Sequence, residues 1–308
     1  MKKKMFSDLQ PEGYIYPYTS FGFKLLFGTE LNKELLISFV NSLLNGQEVI
    51  KDLTYLTSEQ LGSSEAGLSD RVDAYCVNEK GEKILVEVQR TEEELFEYHN
   101  LFYSTCPISK DTKKGGLNYN LKAVYVIGIL NFVLDGSHGN YFNQEVERID
   151  AHNKGVFYDK LTYIYLEMPK FKKTEEQLDS LMDKWLYVLR NLVEMSERPA
   201  ALQEPVFDRL FESADLSKMS SSQRMKYEYS LMAYRDWRNC IDFARKRARE
   251  RAIKKGEAIG LEKGEAKGRE EERKNMILTM LGNGATEHQV CQFLDITPEI
   301  LKSFTEEL

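Results

Sequence analysis

Cysteine is scarce. Cys76, Cys106, Cys240 and Cys291 are the four in 308 residues, with no CxxC pair and no Cys/His ligand spacing. A disulfide framework or a structural zinc site is therefore not expected, and the four read as reduced thiols of a cytoplasmic protein. Glycine and proline number 19 and 7, too few for a collagen-like or low-complexity chain. Long apolar runs are missing. The longest, about Ala123 to Leu130, falls far short of the ~20 residues that span a bilayer, so no membrane partner is expected. The basic start Met1-Lys2-Lys3-Lys4 leads into Ser7-Asp8-Leu9-Gln10-Pro11-Glu12, where an export signal would place its apolar stretch. An excess of positive charge is also absent. Lys and Arg number 42 against 49 Asp and Glu, a net charge of −7, which excludes a histone-like polycation. Nucleic-acid binding stays open, because local patches matter more than the sum.

What the chain does have is core-forming residues: 42% are hydrophobic, including 17 Tyr and 16 Phe. Its length suits one large domain or two modest ones. Composition divides it into residues 14–170, mixed in helix and strand signals, residues 171–275, which read as helix, and a small helical tail, 276–308. In the first part Leu31, Leu35, Leu36, Phe39, Val40, Leu43 and Leu44 recur at helical spacing, and Asn45-Gly46 ends that helix. Val49 to Thr57 reads as strand. Arg71 to Val77 and Lys83 to Gln89 are β-rich runs around a turn with Gly81, a hairpin signal. Thr91 to Tyr103 reads as helix. Ala123 to Leu130 reads as a central strand buried on both faces, and Leu161 to Leu166 as a strand ended by Pro169. This order predicts an α/β fold, a small mixed sheet with helices on it.

The hairpin holds the candidate chemistry. Asp73 and Glu87 lie within apolar strand runs, where a charge is costly unless paired or bound to a cation. A Glu79-Lys80-Gly81 loop pairs Asn78 with Glu82, and the same register sets Asp73 opposite Glu87, with Cβ atoms about 5 Å apart. Glu87 and Gln89 share a face. Two carboxylates so placed repel unless a cation or proton lies between them, and all-oxygen ligation suits Mg²⁺, with Mn²⁺ as the alternative. A register slip of one residue separates the pair. The plainer alternative is a solvent-facing Asp73 and a Glu87 paired with a nearby Lys or Arg.

Asp73 followed by Glu87-Val88-Gln89 on the next strand resembles the core of the PD-(D/E)XK nucleases. The chain is more specifically similar to their Rpn group, the PD-(D/E)XK nuclease family transposases. The similar segments are Thr19 to Gly28, Asn32 to Leu36, Val72 to Cys76, Val86 to Gln89, Tyr103 to Ile108 and Tyr119 to Asp135. The resemblance implies a restriction-endonuclease-like core over residues 14–170, Mg²⁺-dependent hydrolysis of DNA, and a role in recombination, mobile DNA or defence. It makes Asp73 and Glu87 metal ligands and puts Gln89 in the place of the motif's Lys, where its amide can orient water or a phosphate oxygen. The chain departs from the family pattern at Ser20, where an Asp is usual, and near His99, where an Arg is usual. Those departures motivate an alternative, a weakened nuclease fold that binds DNA or protein. Lys24, retained from the pattern, is a candidate phosphate contact or a solvated helix end.

Outside the core, Thr174 and Gln177 fit a capping box ahead of a helix with Leu178, Leu181, Trp185 and Leu189. A long helix begins near Ser222 and runs into Arg245 to Lys255, seven basic residues in eleven. That run reads as a DNA-backbone contact or as a solvated face. Gly256, Gly260, Gly264 and Gly268 follow, either a spacer or a homodimer contact through the C-terminal helices. Thr286 and Thr297-Pro298 start two short helices, with Val290, Phe293, Leu294, Ile300, Leu301 and Phe304 expected to bury one face. Tyr14, Tyr16 and Tyr18 alternate and are expected to pack on the sheet.

Overall fold

A computed structural model of the chain describes residues 13–44, 50–56, 73–90, 101, 104–105, 122–134, 142–145 and 160–305. The helix expected over Thr91 to Tyr103, with His99, lies outside them except for Leu101, as do Asn45-Gly46 and Cys106. Two compact units result, residues 1–235 and 236–308.

The first unit is built on a mixed sheet. Its strands are β1 (Leu53–Tyr55), β2 (Ala74–Asn78), β3 (Lys83–Gln89), β4 (Val124–Leu130), β5 (Phe142–Glu145) and β6 (Leu161–Glu167), in the order β1-β2-β3-β4-β6-β5. β3, β4 and β6 run parallel; β1, β2 and β5 join antiparallel to their neighbours. The all-apolar β4 sits in the interior of that order, as a strand covered on both faces must. β2 and β3 form the expected hairpin. Gly81 has φ +81°, which a side chain would oppose, and Asn78 closes the loop. The Asn78 N–H donates to the Glu82 carbonyl at 2.9 Å, and its Oδ1 accepts from the N–H groups of Lys80 and Glu82.

Helices α1 (Ser20–Phe27) and α2 (Lys33–Leu43) precede the sheet. Thr19 caps α1, its hydroxyl accepting from the Gly22 N–H at 3.0 Å. Leu31 does not join α2 and is 75% exposed. It stands in a 3₁₀ turn held by Asn32, whose amide donates to the Leu25 carbonyl and accepts from Ser213 Oγ. The capping box at Thr174 and Gln177 is present but closes only a 3₁₀ turn. The helix itself, α3 (Leu181–Asn191), starts at a second box, Ser180 with Asp183, because Leu178 is extended. α4 (Pro205–Ala214) follows, and α5 (Ser221–Gly282) begins in this unit. Trp185, fully buried, gathers the rings of Phe27, Phe39 and Phe207 at 5.1–5.8 Å, and its indole N–H donates to Ser38 Oγ. The tyrosines pack on helices. Tyr14 meets Phe211 edge-on, and the hydroxyls of Tyr16 and Tyr234 are 3.1 Å apart.

In the second unit, α5 ends at Gly282, followed by Gly284 at φ +87°. α6 (Glu287–Leu294) and α7 (Pro298–Thr305) start where Thr286 and Pro298 predict. Ile277, Val290, Ile296 and Leu301 are buried together, with Leu294 and Phe304 at the margin. Phe293 and Ile300 are exposed, 74% and 42%. The end of α5 fills the place they were expected to take, and the left-handed Asp295 (φ 50°) turns Ile296 inward instead.

Replacing Trp185 by Ala removes the centre of this aromatic group and the Ser38 bond. The loss expected is about 3–5 kcal/mol of unfolding free energy, read from the urea midpoint, with Trp185→Phe costing less.

Candidate active site

The register of the hairpin is the expected one: Ala74 pairs with Val86, Tyr75 with Leu85, Cys76 with Ile84 and Val77 with Lys83. The ladder stops one pair short of Asp73 and Glu87. There the Asp73 N–H donates to the Val86 carbonyl at 3.1 Å, and Asp73 Oδ2 accepts from the Val88 N–H at 2.9 Å. A side-chain carboxylate thus takes the N–H that the next ladder bond would use.

Strand alternation puts Leu85, Glu87 and Gln89 on one face of β3. Pairing extends that face: Glu87 lies across from Gly128 and Gly128 from Tyr165; Gln89 lies across from Leu130 and Leu130 from Glu167. Glu87 therefore sits between two apolar groups, Tyr75, Leu85, Val124 and Val126 on one side and Leu130, Phe132 and Tyr165 on the other. Glu87 is half-buried and Gln89 buried. Gly128 leaves room that its neighbours fill. A Cβ there would lie 2.9 Å from Tyr165 Cδ1 and 3.3 Å from Leu130 Cδ2.

Burial pushes the Asp73 carboxyl above its ordinary pKa, while the Val88 N–H, Arg90 and Lys24 pull the other way without prevailing. Two other buried carboxylates contrast with it. Glu167 has the Lys170 ammonium at 2.7 Å and the Leu134 N–H at 2.7 Å; Asp183 has the Lys173 ammonium at 2.7 Å. Asp73 has no such direct cation among the described residues.

Lys24 is exposed on α1, and its charge reaches Asp73. Ser20 is the first residue of α1 and half-buried. Sequence reasoning missed Arg90. Its Nε donates to the Tyr18 carbonyl at 2.9 Å, and its guanidinium lies 5.9 Å from the centre of the Tyr234 ring. The available signal was an Arg directly after the Glu-x-Gln strand. Glu167 was missed too, and nothing in its local pattern marks it.

Asp73, Glu87 and the Gln89 amide offer hard oxygen donors, the set that Mg²⁺ or Mn²⁺ takes. No group of three or more His, Cys, Asp or Glu side chains meets in metal-binding fashion among the described residues. No helix there is long and apolar enough to cross a membrane. Cys76, Cys240 and Cys291 are free thiols, and burial pushes that of Cys76 up to about 12.

Two substitutions test the framework around the site. Gly128→Ala drives a methyl into Tyr165 and is expected to cost about 1–3 kcal/mol in chemical denaturation. Glu167→Ala leaves Lys170 and the Leu134 N–H without that carboxylate and is expected to cost about 3 kcal/mol by the same measurement.

The model of the PD-(D/E)XK nuclease family transposases matches residues 17–244, which include the whole sheet and every residue of the site. The chain belongs to this family. Comparison with curated proteins and with solved structures gives no match.

Proposed function

We propose that this member of the PD-(D/E)XK nuclease family transposases is a divalent-metal-dependent DNA endonuclease, with Asp73 and Glu87 as its metal ligands. The carrying observation is the Asp73 carboxylate, held by the N–H of Val88, one residue along β3 from Glu87, and lacking a direct cationic partner among the described residues. A carboxylate raised by burial gains most from an added cation, and the oxygen donors favour Mg²⁺ or Mn²⁺. When bound there, such an ion polarises a scissile phosphate and lowers the pKa of a water for in-line attack.

The chain's own residues do the rest. The Val88 N–H fixes the Asp73 carboxylate on the β3 side. Gln89, two residues along the same face as Glu87, can orient the water through its amide oxygen or hold a phosphate oxygen through its NH₂. The apolar groups flanking Glu87 lower the local dielectric and strengthen each charge interaction with the phosphate. The Lys24 charge, already felt at Asp73, favours an approaching phosphodiester. The biological setting consistent with this chemistry is recombination, mobile DNA or defence against foreign DNA, in the cytoplasm.

Ser20, half-buried at the start of α1 and a departure from the pattern that the resemblance implies, favours one second reading, a weakened nuclease that binds DNA without cutting it. Plasmid nicking separates the two. Nicking is expected with Mg²⁺ or Mn²⁺, none in EDTA, and Glu87→Ala is expected to lower the rate by about 100-fold or more. Asp73→Asn keeps an oxygen for the Val88 N–H and is expected to lose activity while keeping its unfolding midpoint. Undiminished cleavage by either variant overturns the assignment. Absence of nicking by the unaltered protein, with DNA binding retained, establishes the second reading.

A further inference from the structure

The family match ends at residue 244, one residue before the basic run. Residues 245–255 are helical throughout and exposed throughout. Seven are Lys or Arg and one, Glu250, is acidic. No ion pair among the described residues engages any of the seven; Arg247 alone has a ring neighbour, Phe243 at 5.5 Å. Arg245 with Arg249, Arg247 with Arg251, and Arg251 with Lys255 are like charges one turn apart, which repel along the helix. The segment therefore gains from a polyanion.

The charges are also ordered around the helix. At ~100° per residue, Arg245 and Arg249 flank one sector on one side, and Lys255 and Arg251 flank it on the other at matching offsets. The sector between them holds Ala248 and Ala252. Glu250 falls on the opposite face, beside Lys246 and Lys254. An anionic membrane would require an apolar face opposite the charges, and Ile253 alone, next to Lys246, does not make one. A second copy seated on the same sector would set Arg against Arg in either orientation. Two rows of cations about a narrow small-residue sector match two rows of phosphates about a groove. The major groove of B-form DNA admits one α-helix, whereas that of duplex RNA is too narrow.

We propose that the helix from Arg245 to Lys255 is a second DNA-binding element, apart from the hydrolytic residues. It lies along a DNA groove with Arg245 and Arg249 on one phosphate wall and Arg251 and Lys255 on the other. The choice of DNA rests on the reading above; the placement does not, and its test involves no cleavage.

Binding of the full-length protein to a 30-base-pair DNA duplex is measured by fluorescence anisotropy in EDTA across a salt series. The probe variant carries Arg245→Gln, Arg249→Gln, Arg251→Gln and Lys255→Gln. A control of equal charge carries Lys263→Gln, Lys267→Gln, Arg269→Gln and Arg273→Gln further along α5. Each lost phosphate contact removes about 0.9 from the slope of log K against log salt. The probe variant is expected to lose about 3 to 4 from the slope and at least tenfold in affinity, with helicity by circular dichroism unchanged. The control is expected to lose less than about 1. Equal losses in both variants, equal affinity for duplex RNA, or no duplex binding by the unaltered protein overturns the proposal. A changed sedimentation coefficient with unchanged DNA binding also overturns it and marks the sector as a self-contact. Undiminished nicking by Glu87→Ala refutes the assignment of the metal ligands and leaves this slope untouched.

Discussion

The position of Glu87 depends on the hydrogen-bond register of β3, which is clamped from both sides. β2 holds it antiparallel through Ala74 to Val77, and β4 holds it parallel along its whole length. A shift of one residue against either neighbour would turn Glu87 and Gln89 to the other face and bring Val86 and Val88 into their place. The hairpin loop sets the first register. Gly81 takes a conformation that side chains resist, and Asn78 occupies both strands' ends with its backbone and its amide. Gly128 makes the second register tolerable, because the space a side chain would need there is already filled by the Tyr165 ring.

Buried carboxylates in this protein have two distinct fates. Glu167 and Asp183 are neutralised by a lysine at 2.7 Å and by backbone or capping bonds, so they tie segments together. Asp73 receives a backbone N–H but only distant help from Arg90 and Lys24, and burial dominates its titration. A carboxylate left in that condition costs stability unless something else repays it, and such positions cluster where chemistry is done. Its bond to the N–H of Val88, the residue after Glu87 on β3, rather than the burial alone, gives Asp73 its candidate role.

The segment before α1 and the start of α5 frame the site through contacts distant in sequence. The Tyr16 N–H donates to the Tyr227 hydroxyl, the Phe21 N–H to Ser230 Oγ, and Arg90 reaches both Tyr18 and Tyr234. The start of α5 is thus packed into the nuclease-like unit, whereas its cationic stretch belongs to the other unit and is exposed. One continuous helix carries two kinds of surface, the first defined by packing and the second by charge.

The sequence by itself determined what depends on neighbours along the chain. The turn at Gly81 and the register it imposes, the apolar run of β4, and the starts at Thr286 and Pro298 were legible because each rests on dihedral preference, alternation or capping within a few residues. Glu87 and Gln89 on one face were legible for the same reason. Only the tertiary structure decided that Asp73 bonds the Val88 N–H, that Gly128 faces Tyr165, and that Arg90 joins residues 72 positions apart. It also decided that Leu31 and Phe293 stay in solvent although their spacing fits a buried face. In each case the deciding partner comes from another element. Helical periodicity names which residues can share a face, but the shape of the neighbouring element decides which of them it covers.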